Sequence, residues 1–397
     1  MNKLVLRGRM LTQEGLIQSG LLVIDQEKGL IEDAGGKDAV ELPKDERVLD
    51  IENGTILPGL MDAHMHFFGS ASQSLTEWVI IPETLVALRS VSDMKKLLMA
   101  GFTTVRDLVS KAGVHIARAE REAAIEGPSV IAASKSLSQT GGNDDPLMLP
   151  LKIAQELSYS YYCDGPWECR KAVRMCVRDG AEVIKVYASG TFAQGAKGRV
   201  QLTTEEISAI TDEAHRAGLK VTAHAYGEDA LENVIEAGVD SIEHGIALTD
   251  EIAARIKKKG IYYIPTLSAF FAAKPGSSSE RDMMIRRHLS ADMELAKKYD
   301  LKIACGSDFT GSQSEPHGEN YLEISHLSSY LGEMRAISAA TSVAAECMGL
   351  ADRGVLRKGC RADVVIVKGN PDANIEALNP KNVLYVIKSG KLYDARS

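Results

Sequence analysis

The chain of 397 residues is 45% hydrophobic and 5% aromatic, enough apolar material for one large α/β barrel plus an accessory piece, and its 34 glycines suit many short strand-to-helix connections. A formal net charge of −8 argues against a nucleic-acid or anionic-membrane binder, because such surfaces need clustered Lys and Arg; a small-molecule substrate is expected. Cys163, Cys169, Cys176, Cys305, Cys347 and Cys360 form no C-x-x-C pair, which argues against a zinc ribbon or disulfide scaffold and leaves buried reduced thiols.

The opening MNKLVLRGRMLTQEG lacks the uninterrupted apolar run of a signal peptide, and no later stretch reaches about 18 apolar residues, so a cytoplasmic protein is expected. Up to about Ile56, the segments KLVLRGRMLT, GLLVIDQEKGLIEDAG and RVLDIENGTILPG predict short strands with tight turns. Apolar strands then alternate with helix-like stretches: TILPGLMDAHMH, FTTVRDL, SVIAASKSL, AEVIKVYASG, LKVTAHAYG, DSIEHG, IYYIPTLSA and LKIACGSD. Between the fourth and fifth, TTEEISAITDEAHRAG opens with a Thr-x-x-Glu-like cap at Thr203/Thr204 and stops at Gly218. Eight such strands with helical returns predict an α/β fold, a (β/α)8 TIM barrel, whereas the alternative, an open doubly wound sheet, has no G-x-G-x-x-G turn to support it. Two connections exceed what a helical return needs, from Ser138 to about Trp167 and from Asp308 to about Ser325, and KPGSSSERD reads as a loop. At the C-terminus ADVVIVKGNP and NVLYVIKSGKLYD are strands again, so the barrel is expected over 58–350 and a small β-domain from both termini, 1–57 and 351–397.

The strand ends carry the chemistry. His64 and His66 are two apart at the end of the first barrel strand, so both imidazoles emerge on one side of the pleat; alone, H-x-H is weak evidence for a metal site. His224 and His244 end two successive strands, with one βα unit between them, and Asp308 follows the eighth strand, which a closed barrel returns to the first. Taken singly, the histidines read as satisfied core groups and Asp308 as a helix cap. Lys185 is the oddity, a lysine inside the apolar strand VIKVYASG. Burial is costly for an ammonium unless it is paired. It either pairs with a carboxylate or, with its pKa lowered, reacts with carbon dioxide to give a carbamate able to bridge two metals.

This set resembles the amidohydrolase superfamily, and within it the imidazolonepropionase-related, prolidase-like branch of dipeptidases and N-acyl-amino-acid hydrolases. The resemblance covers nearly the whole chain: PGLMDAHMH (Pro58 to His66), GFTTVRD (Gly101 to Asp107), SQTGG (Ser138 to Gly142), IKVYASG (Ile184 to Gly190), AHAYG (Ala223 to Gly227), IEHG (Ile242 to Gly245), GSD (Gly306 to Asp308), PHGEN (Pro316 to Asn320) and ADVVIV (Ala362 to Val367). It implies two divalent metal ions, with His64, His66 and Asp308 on one, His224 and His244 on the other, and N6-carboxylated Lys185 between them. Zinc suits these imidazole and carboxylate ligands, and Mn, Co and Fe stay open.

The resemblance further implies an amide hydrolase in which a metal-bridging hydroxide attacks the carbonyl. Asp308 moves the water's proton to the leaving amine, and Tyr226 donates to the carbonyl oxygen unless it is a core tyrosine. Asn143 and His317 are candidate substrate contacts. Asn143 departs from the pattern, since the branch usually has a histidine after SQTGG; His317 reads equally as an exposed loop residue. His115, His215, His288 and His326 fall on helical stretches and receive no role. A dipeptide or N-acyl amino acid is the first expectation for the substrate, a non-peptide amide, urea, carbamate or ester the second. Deamination fits less well, because deaminases of the superfamily generally lack the bridging lysine, and a non-catalytic metal-binding module would not need six ligands at strand ends. A homo-oligomer without nucleic-acid or membrane partners is the expected assembly.

Overall fold

The computed structural model describes residues 3–40, 47–70, 72, 75–192, 199–274 and 276–396, so the KPGSSSERD loop is described but for Pro275. The N-terminal strands are β1 (Lys3–Thr12), β2 (Gly15–Asp25), β3 (Leu30–Gly36) and β4 (Arg47–Pro58). Those of the central region are β5 (Leu60–Met65), β6 (Phe102–Asp107), β7 (Ser129–Ala132), β8 (Ser136–Ser138), β9 (Ser160–Tyr162), β10 (Val183–Tyr187), β11 (Lys220–Tyr226), β12 (Ser241–Ile246), β13 (Tyr262–Ile264) and β14 (Lys302–Ile303). The last three are β15 (Val364–Lys368), β16 (Val383–Lys388) and β17 (Lys391–Asp394).

Both termini build one sheet, in the order β17-β16-β15-β4-β1-β2-β3. Alternation along β1 divides its side chains between two faces. Leu4 and Leu6 pack with Leu22, Ile24, Ile366 and Ile387, and Val5 packs with Leu21, Val23 and Val40.

The central strands are parallel and mostly buried on both sides, which their near-continuous apolar runs require. One sheet runs β14-β13-β12-β11-β10-β8-β9 and another β5-β6-β7. They join where Glu182 N donates to Ala132 O at 2.8 Å. The ring closes on the other side, where Ala63 N donates to Cys305 O (2.7 Å), Asp308 N to His64 O (2.7 Å) and His66 N to Phe309 O (2.8 Å). The α/β barrel with its terminal β-sheet is therefore present. Two strands differ from the sequence reading. SVIAASKSL is broken in two at Ser134, whose φ of 63° leaves the extended region, so that β7 pairs with β6 and β8 with β10. TILPGLMDAHMH is divided at Gly59, where any Cβ would run into Thr103 and the chain passes from sheet to barrel.

The helix Thr204–Arg216 has the expected start, with Thr203 and Glu206 forming a capping box. All six cysteines are free and buried. Among the described residues no helix is long and apolar enough to cross a membrane.

Candidate metal and active site

Closure of the barrel brings the strand-end residues into one place. His64, Lys185 and His224 are each 1% exposed, His244 3% and His66 5%. Asp308 Oδ1 lies 3.0 Å from His66 Nε2 and 3.2 Å from His64 Nε2, and Oδ2 lies 3.9 Å from His244 Nδ1. The ring centroids of His64 and His244 are 5.1 Å apart, and those of His224 and His244 are 4.7 Å apart. His64, His66 and Asp308 present ligand atoms that all lie within 4.8 Å of one another. Close approach at Gly306 permits this, because a Cβ there would stand 2.7 Å from that of His64. His244 and Asp308 occupy the left-handed region (φ 65° and 59°), a conformation that costs roughly 1–3 kcal/mol at a non-glycine residue and gathers at functional sites.

Each histidine has one ring nitrogen engaged outside the cluster. His64 Nδ1 donates to Glu243 (2.6 Å) and His66 Nδ1 to Val109 O (3.1 Å). His224 Nε2 faces Gly190 O at 3.4 Å, and His244 Nδ1 pairs with Thr266 Oγ1 at 2.7 Å. The other nitrogen of each is left for the centre, as in histidines that ligate metals through one nitrogen and are oriented through the other. Burial, reinforced by the charge of Lys185, holds His224 down to about 3, so its imidazole is neutral and able to ligate. Burial opposes the charge on Asp308, but the neighbouring His64, His66 and His244 keep its carboxyl well below the usual range. These donors fit divalent cations of the imidazole- and carboxylate-binding kind.

Lys185 makes no hydrogen bond or ion pair among the described residues, and the nearest aromatic ring, Tyr187, is centred 5.5 Å from Nζ. The alternative of a directly paired buried lysine is thus not what the structure contains. Burial brings its pKa down to about 8, although Glu243 and Asp308 pull the other way.

Sequence reasoning missed the group beneath this floor. Glu243 is fully buried and accepts from Arg106 (3.0 Å), Ser241 (3.0 Å), Thr222 and His64. Burial would raise its pKa, yet Arg106, His64 and Lys185 hold it at about 2, so it stays a carboxylate. Asp62, also missed, accepts from His64 N, Ser307 and Asn320 and ties β5 to the closing segment. The signal was available in both cases: each is an acidic residue inside an apolar strand, the irregularity that singled out Lys185.

A cavity of about 680 Å³ opens above the cluster. Tyr226 lines it, its ring 4.2 Å from that of His224, and burial pushes its pKa well up, so it keeps its proton. Asn143 also lines the cavity, with Nδ2 donating to Asp144 at 3.2 Å. His317 does not. It is buried behind the wall, where its Nε2 donates to His66 O at 3.0 Å, so it braces the segment carrying His66 and the expected substrate contact becomes a support. Both long connections contribute wall residues, Asn143 to Leu149 from the first and Thr310 and Glu315 from the second.

The model of the amidohydrolase family matches residues 55–393. Ochratoxinase of Aspergillus niger is 33% identical over 370 residues, covering 85% of this chain and 75% of that protein. Its crystal structure superposes with a TM-score of 0.90 at 28% identity, covering 99% of this chain and 96% of that one. A prolidase in complex with N-methylphosphonate-L-proline gives a TM-score of 0.88 at 29% identity, covering 99% and 100%. An imidazolonepropionase of Pyrobaculum arsenaticum is more distant, 26% identical over 193 residues, 47% of this chain and 45% of that protein.

Proposed function

The chain belongs to the amidohydrolase family, and from that premise we propose that it is a binuclear metal hydrolase that cleaves the amide bond of a dipeptide or an N-acyl amino acid. His64, His66 and Asp308 would hold one divalent ion, His224 and His244 would hold the other, and Lys185, once carboxylated, would complete the ligand set. The observation that carries this reading is an unpaired, 1% exposed lysine facing four histidines and an aspartate beneath an apolar cavity. No structural role accounts for that cost.

Such ions supply Lewis acidity toward the carbonyl and an activated water. Asp308, whose side chain keeps 24% exposure, takes the water's proton and passes it to the leaving nitrogen. Tyr226 donates its hydroxyl to the carbonyl oxygen as negative charge develops there.

Metal analysis combined with a panel of N-acyl amino acids, dipeptides, simple carboxamides, carbamates and esters tests the proposal. About two ions per chain and cleavage of the first two classes are expected. Full activity after exhaustive chelation would end it. Turnover confined to the carbamates and esters would favour the second reading, a hydrolase of non-peptide substrates, which the apolar side chains lining the cavity also suit.

A further inference from the structure

The cavity has two walls. The first, on the side of His66, is built from Phe68, Trp78 and Tyr159 and includes Asn143. The second, on the side of His224 and His244, packs Phe192 and Phe270 around Tyr226. Where the first wall meets the floor stands Tyr187, the last residue of β10.

The pleat fixes where Tyr187 points. Lys185 and Tyr187 are two apart on β10 and share its inward face, whereas Ile184 and Val186 alternate with them into the core behind the strand. Pairing of β10 with β11 sets Tyr187 opposite His224, and their rings lie 5.3 Å apart. The same ring faces Lys185, whose Nζ is 5.5 Å from its centroid. Tyr226, two residues beyond His224 on β11, packs on the same imidazole at 4.2 Å. Two phenols from neighbouring strands therefore pack on one histidine of the cluster, near enough for charge on Tyr226 to be felt at Tyr187.

The Tyr187 hydroxyl is also oriented. The Asn143 side-chain nitrogen has two hydrogens; it donates to Asp144 at 3.2 Å, and the amide is turned to the Tyr187 hydroxyl oxygen as well. Asn143 is in turn held by its backbone N–H, which donates to Gln201 at 3.0 Å. Asp144 is tied to β9, where its carboxylate accepts from Ser160 (3.0 Å) and its carbonyl from Tyr162 (3.1 Å). A hydroxyl oxygen that accepts from an amide directs its own proton elsewhere, and the accepted bond polarises that O–H. Among the described residues neither the Tyr187 nor the Tyr226 hydroxyl donates to a protein group, although both residues line the cavity and are at most 7% exposed. A nearly buried hydroxyl without an acceptor is costly, and a ligand in the cavity can supply one.

We propose that Tyr187 is a catalytic residue: it donates its hydroxyl to the substrate carbonyl oxygen and shares with Tyr226 the negative charge that develops as the carbon becomes tetrahedral, while Asn143 is a positioning residue that acts through it. Both phenols keep their protons throughout. The assignment deepens the amide-hydrolase reading and rests on it.

The test follows release of acetate from N-acetyl-L-phenylalanine by the metal-loaded protein and by Tyr187→Phe, which keeps the ring and removes only the hydroxyl. Loss of one of two donors predicts a fall in kcat of about 10- to 100-fold, with KM and metal content little changed. The same molecule with methylphosphonate in place of acetyl mimics the tetrahedral carbon, and its inhibition constant should rise by the factor by which kcat/KM falls. A tyrosine that merely fills space would not move these two quantities together. Asn143→Ala should lose its own effect in the Tyr187→Phe background, because a residue acting through another adds nothing once that one is gone. Native kcat in Tyr187→Phe, or a lower kcat with an unchanged inhibition constant, overturns the proposal while leaving the amide-hydrolase reading intact, and additive effects of the two substitutions remove Asn143 from it. If the amide is not cleaved, that reading fails, and calorimetric binding of the methylphosphonate compound decides the role of Tyr187 separately. Weaker binding by Tyr187→Phe than by the native protein supports it; equal binding, or binding by neither, overturns it.

Discussion

On the floor of the cavity, His64, Lys185, His224 and His244 project from parallel strands and are each at most 3% exposed. On the walls, Trp78, Asn143, Phe192 and Arg281 come from the connections between strands. The floor is over-determined. Strand register sets where each side chain emerges, and a hydrogen bond to a second group sets which ring nitrogen faces inward. The walls have less redundancy, because their side chains come from connections between strands rather than from strands held in register. Damage to the floor should therefore be larger, and less tunable, than damage to the walls.

The largest effect is expected from the floor itself. Exhaustive chelation should bring turnover to background, and Lys185→Met should cost at least about 10²-fold in kcat, the scale of losing one preorganised electrostatic group. Metal content measured on the same sample should fall below that of the native protein, and short carboxylic acids should restore part of the rate. A Met variant with native rate and metal content would make Lys185 merely structural.

Next comes the support under the floor. Replacing Glu243 by Gln leaves Arg106 facing a neutral amide in a fully buried position, which should destabilise the fold by about 3 kcal/mol in denaturant titration. Metal affinity should drop by about 10- to 100-fold, because His64 loses its anionic partner. Tyr226→Phe, where floor meets wall, should lower kcat by about 10²-fold without changing metal content. If Tyr226→Phe instead released metal, the tyrosine would belong to the floor.

The same division explains what the sequence discloses. Near-continuous apolar strands in βα alternation announce the barrel, and a lysine or histidine at the end of an apolar strand stands out because burying it is costly. The closure that places Asp308 beside His64 follows from the ring of eight strands. What did not show was local. The break at Ser134 depends on one backbone angle, and the position of His317 behind the wall depends on how the loop after the eighth strand folds back onto His66 O. Glu243 and Asp62 are legible by the rule that marks Lys185, since each is an acidic residue inside an apolar strand.

A smaller effect, confined to the walls, concerns pH. Glu323 accepts from Leu267 N and Ser268 N at the start of the short helix Leu267–Ala272, which carries Phe270. Burial raises its pKa from 4.5 to about 8, against the pull of those N–H bonds. The folded state thus holds this proton at pH values where the unfolded chain has lost it. The contribution to stability is complete below about pH 4.5, declines as pH rises toward 8 and is flat above. Glu323→Gln should remove that slope from unfolding free energies measured between pH 5 and 8, and an unchanged slope would show that other groups set it.

The smallest effect is expected at Asn143, where the sequence departs from the branch it resembles. Its backbone N–H donates to Gln201 at 3.0 Å and its side-chain amide to the neighbouring Asp144 at 3.2 Å, so one of its amide donors is already engaged within the loop. Asn143→Ala should therefore cost only a few-fold in kcat/KM, far less than Tyr226→Phe, since a neutral hydrogen bond is worth about 1 kcal/mol. A histidine at this position reaches further, and beside Asp144 its charged form is favoured, so Asn143→His should raise kcat/KM on N-acyl amino acids by a few-fold. The gain is limited because the site is 3% exposed and the larger ring must displace neighbours, which a lower Tm would reveal. Steady-state kinetics of the three variants on one substrate orders the contributions. Should Asn143→Ala abolish turnover while Tyr226→Phe is silent, the oxyanion donor sits on the first wall, and the substrate lies in the cavity with its two ends exchanged.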